Sequence, residues 1–227
     1  MRKKSTYPIY PSRCLNDGEL VTAAIHCFDN AKELLDEAEL LRGLDRSARA
    51  CALAATGFQE LGKAHLCAGL LAKDPTYAEY TDPKKFWGFW KDHVGKAATV
   101  FRVGVEGTFY GPVQPERAED LGDSLESIRR LGFYVDVHDM QPPEPPPGFR
   151  GIGFQRGPTF LLPADKCSPR IAADLIRDLS LFVQGLSPAI EEMRETRAVE
   201  RAKFATDFLA AWNEAKRARE SQSETTQ

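Results

Sequence analysis

No two cysteines of this sequence stand close together. Cys14, Cys27, Cys51, Cys67 and Cys167 are scattered singly, with no C-x-x-C pair, and their number is odd. A disulfide framework or a zinc site is therefore not expected, and reduced thiols fit the pattern. An excess of positive charge is missing as well. Lys and Arg number 30 against 33 Asp and Glu, for a formal net charge of −3. That balance argues against a broad, non-specific nucleic-acid binder but leaves room for a local basic pocket. No apolar run reaches the roughly 18–20 residues of a membrane-spanning helix. The opening MRKKSTYPIYPSR is basic but has no apolar stretch of the kind a signal peptide carries. A cytoplasmic protein with no membrane association is the expectation. Internal repeats are not evident.

What is present is an ordinary globular composition, 42% hydrophobic and 28% charged over 227 residues, enough to bury a core. Asn16 or Asp17 can cap a first helix, in which Leu20, Ala24, Phe28, Ala31, Leu35 and Ala38 recur at spacings of three and four before Gly43. A second helix is predicted from Asp45 to about Leu71, followed by the turn-like KDPT. Asp82-Pro83 signals the start of a third. That helix carries FWGFWKDHVGKAATVF and is expected to run on towards Phe109. Pro115 opens a fourth, ending near Leu131-Gly132, and FYVDV at 133–137 alternates as a strand does. From Asp139 to Ser168 seven prolines and several glycines predict an extended loop, with a small hairpin around FLL. GIGFQRG within it has the wrong spacing and context for a phosphate loop. Ser168-Pro169 starts another helix, which Ser187-Pro188 restarts or kinks. The last helix sets Phe204, Phe208, Leu209 and Trp212 opposite a charged face. The resulting organisation is mostly α. An N-terminal extension (1–15) precedes a helical-bundle core (16–138) and a proline-rich loop (139–167). C-terminal helices (168–220) complete the bundle, and a disordered tail follows (221–227).

The second helix raises a chemical question. Inside an alanine- and leucine-rich run, GFQELGKAHL places Glu60 and Lys63 between Gly57 and Gly62. Interior glycines weaken a helix by roughly 0.5–1 kcal/mol each relative to alanine. A charge taken from water costs several kcal/mol unless it is paired. On a wheel of about 100° per residue, Arg49, Thr56, Glu60 and Lys63 share one stripe. His93 and Lys96 lie one turn apart on the third predicted helix, on a face with Phe86, Phe89 and Val100. Were the two helices antiparallel neighbours, these groups would meet near mid-bundle. The set suits acid–base chemistry on a phosphodiester: His93 transfers the proton, Glu60 orients it, and Lys63, Lys96 and Arg49 offset negative charge. No carboxylate cluster suggests a metal, and no cofactor is expected. The alternative is structural, with Glu60 ion-paired to Lys63 or Lys96 and His93 satisfied in the core. His26, His65 and His138 read as structural or surface groups, and Trp87–Trp90 as helix packing.

The order DNAKELLDEAELL, RSARACALAATGFQELGKA, FWGFWKDHVGK and RRLGFYVDV resembles the AbiV family of abortive-infection proteins over roughly Asn30 to Asp136. The resemblance implies a HEPN-like helical bundle and a bacterial anti-phage protein acting as a homodimer. Its targets would be RNA or the translation machinery, or it would engage a phage-encoded protein. It also implies kinship with metal-independent ribonucleases whose dimers pool an Arg-x4–6-His motif. This chain departs there, because Phe86, Trp87 and Gly88 stand where that arginine would precede His93. The family's own set implies Glu60, Lys63, His93 and Lys96 as catalytic groups. Arg49, Arg129 and Tyr134 would support them at the substrate, and Asn30 would bond into the same interior.

Overall fold

The computed structural model describes residues 10–104, 115–133, 136–138, 159–161, 168–195 and 201–224. The helices are α1 (Asp17–Gly43), α2 (Ser47–Leu71), α3 (Pro83–Lys91), α4 (His93–Gly104), α5 (Pro115–Phe133), α6 (Pro169–Glu195) and α7 (Arg201–Glu224). A 3-10 segment, Pro75–Thr81, joins α2 to α3. Two short strands, β1 (Asp136–His138) and β2 (Thr159–Leu161), pair antiparallel with Val137 opposite Phe160. The chain is a mostly α bundle. No described helix is long and apolar enough to cross a membrane.

The alanine-rich α2 is the axis of the bundle. A helix apolar on nearly all sides has to be covered on nearly all sides, and α1, α4, α5, α6, α7 and the 3-10 segment all pack on it. Its alanines at 50, 52, 54, 55, 64 and 68 are fully buried, as are Leu61 and Leu66. Larger side chains fill the space on the α6–α7 side. Phe58 meets the edge of Phe182 at 6.4 Å between ring centres, and Trp212 lies 4.8 Å from Phe182. α1 contributes the expected apolar stripe from Leu20 to Ala38. It begins with a capping box: Asn16 accepts from the Glu19 amide at 3.0 Å while Glu19 accepts from the Asn16 amide at 2.8 Å.

Several expectations are corrected. The second helix begins at Ser47 rather than Asp45, because Asp45 has φ 57 and so closes α1 instead of opening α2. The predicted long third helix is two helices. Asp92 is extended, with ψ 109, and its Oδ1 accepts from the Val94 amide at 3.0 Å, so it stops α3 and caps α4. His93 and Lys96 therefore do not share a helix face with Phe86 and Phe89. The stretch towards Phe109 beyond Gly104 lies outside the described residues. Phe133 ends α5, and the strand is Asp136–His138. Pro188 neither restarts nor ends α6, which runs through it, and the Ser187 hydroxyl donates to the Val183 carbonyl at 2.7 Å. α7 continues to Glu224, so residues 221–224 are helical rather than a disordered tail. Of the proline-rich stretch, only Thr159–Leu161 is described.

Candidate functional site

The glycines of α2 and α5 set the site's geometry. A Cβ on Gly62 would collide with the Lys96 carbonyl oxygen, and one on Gly122 of α5 would sit 2.7 Å from the Val94 carbonyl. The first turns of α4 are thus clamped, backbone to backbone, between α2 and α5. Glycine at these two positions lets a helix approach more closely than any side chain would allow. The interior glycine at 62 was legible as a cost in the sequence; its partner was not.

This clamp brings the start of α4 against polar side chains of both neighbours. His93, the first residue of α4, is exposed, but its Nδ1 faces the Gln59 Oε1 at 2.9 Å. Gln59 is 1% exposed and reaches on to α5, where its Nε2 donates to the Glu126 carboxylate at 3.1 Å. Arg129 grips the same carboxylate through two bonds of 2.7 and 2.8 Å. Burial alone would raise the Glu126 pKa, yet the Arg129 and Gln59 bonds outweigh it and hold the group below its ordinary value. The His93 pKa is lowered, first by burial of its inner edge and then by the charges of Lys96 and Arg129. Its hydrogen-bond partner is Gln59 and not Glu60, which corrects the orienting role expected for Glu60. Gln59 and Glu126 were missed in the sequence. The available signals were a second polar residue in FQELGK and an i, i+3 Glu–Arg pair on α5.

Glu60 instead pairs with Lys63 at 2.6 Å, their side chains 13% and 15% exposed. Lys63 also lies over the Trp90 ring, 5.5 Å from its centre. Lys96 is 3% exposed and donates from Nζ to the Trp90 carbonyl at 3.0 Å. Burial and the nearby Lys63 ammonium push the Lys96 amine down to about 8, against the opposing pull of Glu60 and Asp92. Cys27 of α1 closes this cluster. Burial, with help from Glu60, pushes its thiol up to about 12. His93 lies in the field of both lysines, Lys96 the stronger, and Lys96 lies in that of Lys63 and Glu60.

Other expected participants fall elsewhere. Arg49 is exposed, eleven residues before Glu60 on the same helix, which puts it about 16 Å away along the axis. It is not part of this cluster. Asn30 is exposed on α1 and does not point into the interior. Arg129 does join, through Glu126. Tyr134 lies outside the described residues. His26 is exposed, while His65 is buried and bonded through Nδ1 to the Tyr77 hydroxyl at 2.7 Å. The Trp87–Trp90 pair packs: Trp90 stacks on Phe86 at 5.4 Å, and the Trp87 indole donates to the Arg13 carbonyl at 3.0 Å.

The chain is a bundle wrapped around one alanine-rich helix, with a polar cluster where Gly62 and Gly122 admit α4, and as a mostly α bundle it is consistent with the HEPN-like class. A family model described as AbiV matches residues 19–148, more than half of the 227 residues. The chain belongs to the AbiV family, a family of abortive-infection defence proteins. Neither the curated proteins nor the solved structures contain a match to it.

Proposed function

We propose that this abortive-infection protein is a metal-independent endoribonuclease that stops phage production by cutting RNA, in or near the translation machinery of the bacterial cytoplasm. The observation that supports this reading is an exposed imidazole, His93, with three cationic side chains (Lys63, Lys96 and Arg129) in its field. Cleavage of RNA needs a proton removed from a ribose 2′-hydroxyl, charge stabilised on the phosphorus oxygens, and a proton returned to the departing 5′-oxygen. His93 is the proton-transfer group. Lys63, anchored by Glu60 and Trp90, is the phosphate's cation. Lys96 acts from beneath. The reading includes a homodimer, in which two such sites share one substrate. Purified protein incubated with total RNA in EDTA tests it. Wild type should cleave, and His93→Ala and Lys63→Ala should each lower the rate by roughly 100-fold or more. Equal cleavage by all three would remove the site from the chemistry.

A second reading rests on a different observation. Lys96 is buried and spent on a backbone carbonyl, and Glu60 is paired with Lys63. On this reading the polar interior is structural, and the protein acts by binding a phage-encoded or ribosomal protein. A broken ion pair at Glu60 would then cost about 3–5 kcal/mol, whereas a catalytic group is often removed with little loss. Thermal melting of Glu60→Gln separates the two.

A further inference from the structure

We infer that Gln59 and Glu126 are positioning residues that fix the tautomer of His93, leaving its Nε2 as a lone-pair acceptor. The catalytic meaning rests on the ribonuclease reading above, but the tautomer does not. Arg129 donates twice to Glu126, from Nε to Oε2 and from its terminal nitrogen to Oε1. An ionised carboxylate has no proton and can only accept. The Gln59 side-chain atom facing it therefore has to be the NH2 group, as the 3.1 Å Nε2–Oε2 contact has it. That choice is forced by the acceptor. The Gln59 carbonyl oxygen then points to α4, where His93 Nδ1 lies 2.9 Å away. An amide oxygen cannot donate, so Nδ1 carries the hydrogen. A neutral imidazole has only one N–H, and the lone pair is left on Nε2.

Free histidine prefers the opposite arrangement, with the hydrogen on Nε2, so the three residues reverse the intrinsic default. The relay is suited to a base. When Nε2 takes the proton of a hydroxyl, Nδ1–H keeps its bond to Gln59, and no partner has to turn. Where a carboxylate touches the imidazole directly it also stabilises the cation and raises basicity. Here the carboxylate is one amide removed, so orientation is kept without that charge. Gln59 crosses from α2 to α5 in a 1% exposed position, away from water, so the donor or acceptor character of its two neighbours decides which end of the amide faces which.

Nitrogen-15 spectra of the full chain, labelled in its four histidines and assigned with His93→Gln, read the tautomer without any assay of activity. At pH 8 wild-type His93 should show the protonated-nitrogen signal at Nδ1 and the bare signal at Nε2. Gln59→Leu should let His93 revert to Nε2–H. The exchange Glu126→Lys with Arg129→Glu keeps an ion pair but sets a donor against Gln59. Its amide should flip, and His93 should change to Nε2–H. A wild-type His93 that is mainly Nε2–H overturns the inference, and this needs no variant to fold. So does retention of Nδ1–H in either folded variant. In an active enzyme Gln59→Leu should lower kcat roughly 10- to 100-fold with little change in KM. A fixed tautomer in a protein that cuts no RNA would sink the ribonuclease reading and leave the relay standing.

Discussion

The position where a Gly62 side chain would begin is occupied by the carbonyl oxygen of Lys96. This contact, between the middle of α2 and the second turn of α4, decides how deep Lys96 sits and where His93 emerges. Because backbone meets backbone, neither side can give way by changing rotamer. Gly62→Ala should therefore destabilise the chain by about 1–3 kcal/mol, as overpacking does, and should impair the site by displacing α4. Gly88 is the internal control. It lies within α3 with nothing near its vacant Cβ position, so Gly88→Ala should stabilise by about 0.5–1 kcal/mol. Chemical denaturation of the two variants checks both signs.

Lys96 should trade stability for its place in the site. Its pKa is pushed down to about 8 from 10.5, so the folded state holds its proton more weakly than the unfolded chain does. Folding then pays the full penalty below pH 8 and is relieved of it as pH rises towards 10.5. Lys96→Met removes the charge and keeps the length, so it should raise the melting temperature at pH 7 and, on the ribonuclease reading, abolish RNA cleavage. The advantage should be on the order of 1–3 kcal/mol and shrink between pH 8 and 10. A melting series over that range, wild type beside variant, reads the convergence. A variant less stable than wild type at pH 7 would show that the Trp90 carbonyl bond more than offsets the burial cost.

Much of this was legible in the sequence because the signals are local. The capping box at Asn16, the stripe from Leu20 to Ala38 and the start at Asp82-Pro83 need no partner to be read. The polar stripe of α2 was legible too: Glu60 pairs with Lys63, and both act on Lys96. What could not be read was the join at Asp92. An aspartate inside a run of helix formers is equally a solvated helix residue or a cap, and only the docking of α4 against Gly62 and Gly122 decides. Once the helix breaks there, the wheel that aligned His93 with Phe86 and Phe89 no longer applies. The same turn of α4 hands His93 to Gln59 rather than Glu60. Arg49 was misplaced for a simpler reason: a shared stripe says nothing about distance along the axis.

His65 gives the fold an acid-sensitive point remote from the α4 cluster. It is fully buried among Tyr77, Phe208 and Trp212, its ring 4.4 Å from that of Trp212. Burial pushes its pKa down to about 3 from 6.5. The unfolded chain takes up a proton below pH 6.5 that the folded chain refuses, so stability present above 6.5 is lost as pH falls towards 3, by roughly 1.4 kcal/mol per unit. Melting temperatures from pH 7 to pH 4.5 should fall more steeply for wild type than for His65→Phe. The variant starts lower at pH 7, because the Tyr77 hydroxyl loses its 2.7 Å partner. Parallel curves would mean that the ring is protonated in place.

On the ribonuclease reading, Arg129 should tune the acid limb of RNA cleavage. The His93 pKa lies below 6.5, through burial first, then the charges of Lys96, Arg129 and Lys63, with Glu126 pulling the other way. A base works only when unprotonated, so the rate should fall as pH drops through that lowered value and hold level above it. In Arg129→Gln one of the depressing charges is gone while Glu126 still pulls upward. The His93 pKa rises, and the acid limb moves to higher pH. At pH 6 the variant should lose more activity relative to wild type than it does at pH 8. Titrating the His93 ring signals in the same two proteins gives the pKa directly. If the ring titration moves up and the rate profile stays put, the proton that limits cleavage belongs to a group other than His93.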